Sequence, residues 1–252
     1  MKILSIGNSF SINAMKYLHQ IAKADGVNIK AVALYIGSCS LATHYKNMNN
    51  DAIAYEIVYN GENTKLKTSI REALQSEEWD VVTVQQASWH SVDYDTYQPY
   101  LDALVKYIKF HSPKSKIMVH KTWAYRQGCD YLKKLGYSDQ IEMHNALSKA
   151  YEKANMDLGG VEMLVSGDVM QALLKAGISD VHSDDIHANA LGEYAMGLVW
   201  YKKLTGNSPL GNSFRDFCHE AFDDEVKSKN INEVMTEENI KIAQKCADEV
   251  VE

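Results

Sequence analysis

Residues 1–22 read MKILSIGNSFSINAMKYLHQIA, and how this stretch is read decides the rest of the chain. Ile3, Leu4 and Ile6 form a short apolar run of the kind buried in a parallel sheet. Ala14, Tyr17, Leu18, Ile21 and Ala22 then recur at helical spacing, which predicts a helix near 12–25. Between them, Gly7, Asn8, Ser9, Phe10 and Ser11 place a hydroxyl where a strand turns sharply into a helix N-terminus. Unpaired N–H groups and a potential that favours negative charge gather at such a point. A serine there has two readings. It caps the helix, or it attacks a carbonyl while its own amide helps hold the oxyanion. A phosphate cradle lacks its signature, because no G-x-x-x-x-G-K-[ST] pattern is present.

The alternation continues down the chain. Strand-like runs fall at 2–6 (KILSI), 29–36 (IKAVALYI), 79–86 (WDVVTVQQ), 116–120 (KIMVH) and 161–165 (VEMLV). Helical patterns lie near 12–25, 68–77, 95–111, 138–157, 168–176 and 189–205. Strands alternating with helices predict an α/β fold of βαβ units, with five strands in a mostly parallel sheet. Asn60-Gly61, inside YEIVYNGENTKLKTS (55–69), predicts a small β-hairpin inserted between the second strand and its next helix. The charged tail from about 213 to 252 ends in TEENIKIAQKCADEVVE and predicts a closing helix packed on the body. We read 1–252 as one domain, with a core over about 1–206 and this helical extension.

Composition removes several function classes. A net charge of −7 argues against a protein that grips nucleic-acid phosphates, so no nucleic-acid partner is expected. No stretch approaches the roughly 18 apolar residues of a membrane helix, and no membrane partner is expected either. The first apolar run is too short for a signal peptide, which gives a cytoplasmic expectation. Cys39, Cys129, Cys218 and Cys246 are scattered without a C-x-x-C pair, so reduced thiols are expected rather than a disulfide framework or zinc ribbon.

Ligands of such sheets bind beyond the carboxyl ends of the strands. The residues placed there are Gly7-Asn8-Ser9, Gly37-Ser38-Cys39-Ser40, Gln85-Gln86-Ala87-Ser88, Lys121-Thr122-Trp123 and Ser166-Gly167-Asp168. In SDVHSDDIHANALGEYAMGLVWY (179–201), His187 follows Asp184 by three residues. An Asp-x-x-His turn can aim the carboxylate at one imidazole nitrogen and leave the other to take a proton from a serine. It also reads as a polar loop with a helix cap. Asp180, His182 and Asp185 crowd the same loop, which leaves a metal cluster open. In VVTVQQASWHS (81–91), two amides follow a buried strand and must be hydrogen-bonded, either structurally or as a donor to an oxyanion. His90 has no carboxylate patterned beside it and reads as substrate-facing or structural.

Together the pieces resemble the SGNH (GDSL-like) hydrolases, and within them the DUF4886-type subgroup found mostly in bacteria. The resemblance rests on ILSIGNSFS (3–11), YIGSCSLATH (35–44), WDVVTVQQAS (79–88), WAY (123–125) and Asp184-Asp185-Ile186-His187, in order over about 1–206. It implies a flavodoxin-like three-layer α/β/α sandwich with Ser9 as nucleophile, His187 as base and Asp184 as the group orienting it. It also implies an oxyanion site of the Ser9 amide, the Gly37 or Ser38 backbone and the Gln86 side chain, with Gln85 behind it. The chain departs from the family pattern at three places. Glutamines stand where the third block has Asn, Gly37-Ser38 replaces Gly-Gly, and Asp185 replaces a glycine.

The resulting expectation is a serine esterase acting on a small-molecule ester, an O-acetylated sugar by its relation to SGNH enzymes. Aromatic faces suit sugar rings, and Trp89, Trp123, Tyr125, Tyr94 and Tyr97 follow the third and fourth strands. Asn8, Trp89, His90, Trp123 and Tyr125 are therefore the candidate substrate-binding residues. No metal or organic cofactor is called for. Two rivals stand beside this reading: a non-catalytic sugar- or anion-binding protein, and a metal-dependent hydrolase using His182 and His187. The oligomeric state is left open.

Overall fold

The run at 2–7 forms the central strand, and Ile3, Leu4 and Ile6 are fully buried because both faces of the sheet are covered. The computed structural model describes residues 1–217 and 231–251. Its elements run β1 (Lys2–Gly7), α1 (Ser9–Met15), α2 (Leu18–Ala24), β2 (Lys30–Tyr35), α3 (Leu41–Asn49), β3 (Tyr55–Tyr59), β4 (Glu62–Thr68) and α4 (Ile70–Ser76). They continue with β5 (Val81–Val84), a 3-10 turn (Tyr94–Thr96), α5 (Tyr100–His111), β6 (Lys116–Lys121), α6 (Asp130–Lys134), α7 (Gln140–Asp157) and β7 (Met163–Val165). The last are α8 (Ser166–Lys175), α9 (Ala190–Thr205), α10 (Ile231–Val234) and α11 (Glu237–Glu249).

One seven-stranded sheet has the order β4-β3-β2-β1-β5-β6-β7. β2, β1, β5, β6 and β7 are parallel, while β3 and β4 are antiparallel. From β1 the chain crosses toward one edge to reach β2, then back past β1 to reach β5. Right-handed crossovers in opposite directions put their helices on opposite faces. The order reverses between β1 and β5, and the crevice outside their carboxyl ends is where the site is sought.

The strand count corrects the five-stranded expectation. The hairpin does not stand apart as an insert, because β3 pairs with β2 (Val32↔Tyr59, Tyr35↔Glu56) and widens the sheet. Its turn at Asn60-Gly61 has both residues at positive φ, 51° and 90°. A Cβ at Gly61 would fall 2.3 Å from the Lys16 carbonyl oxygen, so only glycine fits. Nor does the hairpin follow β2 directly, since α3 intervenes, capped by the Ser40 hydroxyl on the Thr43 amide. That helix buries only Leu41, His44 and Met48, too thin a stripe to announce itself. The helix read at 12–25 is two helices, α1 and α2, and it starts at Ser9.

α9 lies against α1, α2, α8 and α11, and every residue from Ala190 to Tyr201 is buried. A helix apolar all round belongs in a core. The described part of the tail supplies α11, which buries Ile240, Ala243, Gln244, Cys246 and Ala247. Cys39, Cys129 and Cys246 are free thiols, and Cys218 lies outside the described residues. Among the described residues, no helix is long and apolar enough to cross a membrane.

Within α9, Glu193 is buried, with Oε1 accepting from Asn13 Nδ2 at 2.7 Å and Oε2 lacking a partner. Burial pushes its carboxyl up to about 8, against the smaller pulls of Lys16 and the Asn13 hydrogen bond. The folded chain thus keeps a proton that the unfolded chain releases near 4.5. That proton stabilises the fold below the lower value, and its contribution is lost as pH rises through the upper one. Buried His44 and His120, pulled down by desolvation to about 3, act oppositely, but only below their unfolded value of 6.5. The thermal midpoint is therefore expected to fall from about pH 6.5 to about 8.5 in the wild type and to stay nearly level in Glu193→Gln. An equal fall in both proteins would assign the slope to other groups.

Candidate active site

At the end of β1 the helix cap falls to Asn8, whose Oδ1 accepts from the Phe10 amide at 3.0 Å. The Asn8 carbonyl accepts from the Ser11 amide and hydroxyl, at 3.1 and 2.8 Å. Ser9 is thereby left out of capping. Its Oγ lies 2.9 Å from His187 Nε2, and His187 Nδ1 lies 2.7 Å from Asp184 Oδ2. The second Asp184 oxygen accepts from the amides of Ile186 and His187, at 2.7 and 2.6 Å, which makes the Asp-x-x-His turn rigid. Burial alone would raise the Asp184 pKa. The bonds from the His187 ring and the two amides outweigh it and hold the carboxyl well below the usual range. A carboxylate only accepts, so Nδ1 carries the proton and the Nε2 lone pair faces the serine hydroxyl.

The two halves of this constellation are joined by the segment after β6. Trp123 stacks on Phe10 with ring centroids 3.9 Å apart and planes 4° from parallel, and its indole N–H donates to the Ile186 carbonyl at 2.9 Å. One residue beside Ser9 and one beside His187 are thus held by a single side chain. The Arg126 amide donates to the Asp185 carbonyl at 2.9 Å, and the Arg126 guanidinium pairs with Asp180. His182 Nε2 donates to the Ala124 carbonyl at 3.0 Å.

These contacts correct several substrate-facing expectations. Trp123 is 0% exposed and Tyr125 3%, the latter bonded through its hydroxyl to Ser88 Oγ at 2.9 Å. Tyr97 is also buried, donating to the Ser91 carbonyl. Asn8 is buried and engaged with the Phe10 amide, Gln85 and Cys39. Trp89, by contrast, is 38% exposed, its ring centroid 5.6 Å from that of half-buried His90. Among the described residues no three His, Cys, Asp or Glu side chains converge on a metal position, and His182 is turned to backbone. Cys39 offers no rival nucleophile, because burial pushes its thiol up to about 12.

Backbone donors remain for an oxyanion. The amides of Ser9, Gly37 and Ser38 meet no acceptor among the described residues, and Gly37 and Ser38 sit in an exposed turn. Asn8 Nδ2 tethers that turn by donating to the Cys39 carbonyl at 3.1 Å. Ser38 holds a left-handed φ of 59°, a region that favours glycine. Gln86 is differently employed than its oxyanion role requires. Its Oε1 accepts from the Leu41 and Ala87 amides, and its Nε2 donates to both Thr96 oxygens, at 2.9 and 3.1 Å. Gln85 Nε2 donates to Asn8 Oδ1 and its Oε1 faces His120 Nδ1. Both amides are held as structural partners. Sequence reading missed Phe10, His120 and Arg126, since nothing in local spacing says what a side chain touches across the sheet.

The five parallel strands have a flavodoxin-like order, and a serine, a histidine and an aspartate meet outside their carboxyl edge. Residues 2–234 match the family described as "Domain of unknown function (DUF4886)", and the chain belongs to that family. It is similar to the crystal structure of a DUF4886 family protein from Bacteroides uniformis, with 30% identity, TM-score 0.85, and 99% of this chain and 94% of that one covered. It shares its fold with a presumed SGNH hydrolase from Slackia heliotrinireducens (24% identity, TM-score 0.58, 81% and 98% covered). The same holds for a presumed GDSL-like lipase from Parabacteroides merdae (17% identity, TM-score 0.51, 81% and 95% covered). No curated protein matches.

Trp123→Phe keeps an aromatic face for Phe10 but removes the donor to Ile186. Urea unfolding is expected to show a loss of about 1–3 kcal/mol, with slower modification of Ser9 by an organophosphonate. Unchanged stability and unchanged modification would remove the indole from its linking role.

Proposed function

We propose that the protein is a serine esterase of the SGNH type acting on small acyl esters. The observation that carries this reading is the unbroken Asp184–His187–Ser9 chain, with bonds of 2.7 and 2.9 Å. Ser9 attacks the ester carbonyl while His187 Nε2 takes its proton, and Asp184 stabilises the imidazolium. The tetrahedral oxyanion rests on the amides of Ser9 and of Gly37 or Ser38. His187 returns the proton to the departing alcohol, and water repeats the sequence on the acyl-enzyme. This chemistry calls for no metal or organic cofactor.

The substrate we favour is an O-acetylated carbohydrate. Exposed Trp89 beside His90 supports it, since an aromatic face outside the site suits a sugar ring. A binding protein on the same fold is the second reading. The observation that favours it is the left-handed φ of 59° at Ser38 in the oxyanion turn, where the backbone is strained for a non-glycine residue.

Purified protein is to be treated with a fluorophosphonate probe and assayed on p-nitrophenyl acetate beside Ser9→Ala and Asp184→Asn. Wild type is expected to label and turn over, and Ser9→Ala to do neither. Asp184→Asn is expected to lose about 10³–10⁴ in kcat, because the amide favours the wrong histidine tautomer. Absence of labelling, with equal background rates in all three, would leave a binding protein.

A further inference from the structure

We propose that Gln85 and His120 are positioning residues for the nucleophile and its oxyanion turn, acting through a one-way hydrogen-bond chain that ends on Asn8. The inference rests on the esterase reading of Ser9. The chain begins at Trp200 Nε1, which donates to Ser166 Oγ at 3.0 Å. Ser166 Oγ lies 2.9 Å from His120 Nε2, His120 Nδ1 lies 2.7 Å from Gln85 Oε1, and Gln85 Nε2 lies 2.9 Å from Asn8 Oδ1. All five side chains are buried, so each polar atom needs its partner within the fold.

With a neutral imidazole, only one proton arrangement satisfies every link. Asn8 Oδ1 already accepts from the Phe10 amide, and an amide oxygen cannot donate, so Gln85 presents its NH₂ to Asn8. Gln85 Oε1 then points at His120, whose Nδ1 must carry the hydrogen. Nε2 becomes an acceptor, Ser166 donates to it, and the indole N–H supplies Ser166. Burial favours the neutral ring this pattern needs. The edge-on indole of Trp200, 5.0 Å away at 81°, holds the imidazole in place.

The chain passes directly beneath the turn. A Cβ on Gly7 would lie 3.0 Å from Gln85 Oε1 and 2.5 Å from Ser11 Oγ, so any other residue there would push both side chains out of place. At its end, Asn8 has two tasks. Its Oδ1 sets the entry into α1 through Phe10, and its Nδ2 holds the Gly37–Ser38 turn through Cys39. Rotating the Asn8 amide would move the Ser9 amide and the opposing turn relative to one another. Gln85 fixes that rotation, and His120 fixes Gln85. The effect belongs to the transition state, where the oxyanion forms, and hence to kcat rather than KM.

The test is Gln85→Glu, which keeps the shape and the acceptor for His120 but loses the donor to Asn8. On p-nitrophenyl acetate, kcat is expected to drop about tenfold with KM within about twofold, the scale of one positioned hydrogen bond. Should this variant not fold, Asn8→Asp breaks the next link, to Cys39, and the same split is expected. Unchanged kcat in a folded variant would overturn the proposal, as would a lowered melting temperature with unchanged kcat. Nitrogen-15 spectra of wild-type His120 supply an independent readout. A neutral ring protonated on Nδ1 from about pH 5 to about 9 is expected, and the other tautomer, or titration in that range, would overturn the chain. If the wild type neither labels nor turns over, the esterase reading fails and the catalytic part of this proposal with it. The spectrum still decides the direction of the chain.

Discussion

The indole of Trp123 meets both halves of the site at once. Ser9 and His187 are 178 residues apart in the chain, yet their hydrogen bond tolerates little error in position. The loop from Asp180 to Ala188 has no helix of its own to stiffen it. What holds it is contact with the segment after β6: the Trp123 indole, the Ala124 carbonyl, and the amide and guanidinium of Arg126. A stacked aromatic pair adds about 0.5–1.5 kcal/mol beyond burial, and a net hydrogen bond about 1 kcal/mol. Each is modest alone. Together they are comparable to the backbone entropy of ordering a few loop residues, roughly 1–2 kcal/mol each.

A second constraint is that a buried polar group must be satisfied, and satisfaction decides its role. Gln86 follows a buried strand and looks free to donate to an oxyanion, but in the fold it ties α3 to the Thr96 turn. Engaged on both sides, it has no hydrogen to offer a transient charge. The amides of Ser9, at the start of α1, and of Gly37 and Ser38, in a turn, stand in the opposite situation, because none meets a backbone acceptor among the described residues. The proposed oxyanion donors are thus amides that the geometry leaves unused rather than side chains that already have partners.

Much of this was readable along the chain. The parallel strands are short, largely apolar runs, which follows from burial on both faces, and the five runs read as strands overlap β1, β2, β5, β6 and β7. The Asp-x-x-His turn is a local motif, so its shape is written in adjacent residues. Trp123 and Tyr125 were harder. Following a strand at the ligand-binding edge suggests a wall around a substrate, but their side chains go into the core, toward Phe10 and Ser88. Direction depends on what lies across the sheet, which no local pattern encodes. α3 failed differently, as its buried stripe is too narrow to give a period. The hairpin was visible from Asn60-Gly61, whereas its docking onto β2 is a tertiary fact.

The junction between β1 and α1 gathers these constraints into three neighbouring residues. Gly7 is there because the Gln85 and Ser11 side chains occupy the space a Cβ would need. Asn8 is there because the helix needs a cap that can also reach two other loops, and its amide accepts twice through Oδ1 while donating through a separate Nδ2. A serine in that place would satisfy the helix but leave Cys39 or Gln85 without its partner. With the cap supplied by its neighbour, Ser9 has no structural bond to break when it turns to His187. Freedom from capping is thus a product of the residue before it, and under the proposed esterase reading it sets Ser9 apart from the many serines that merely begin helices.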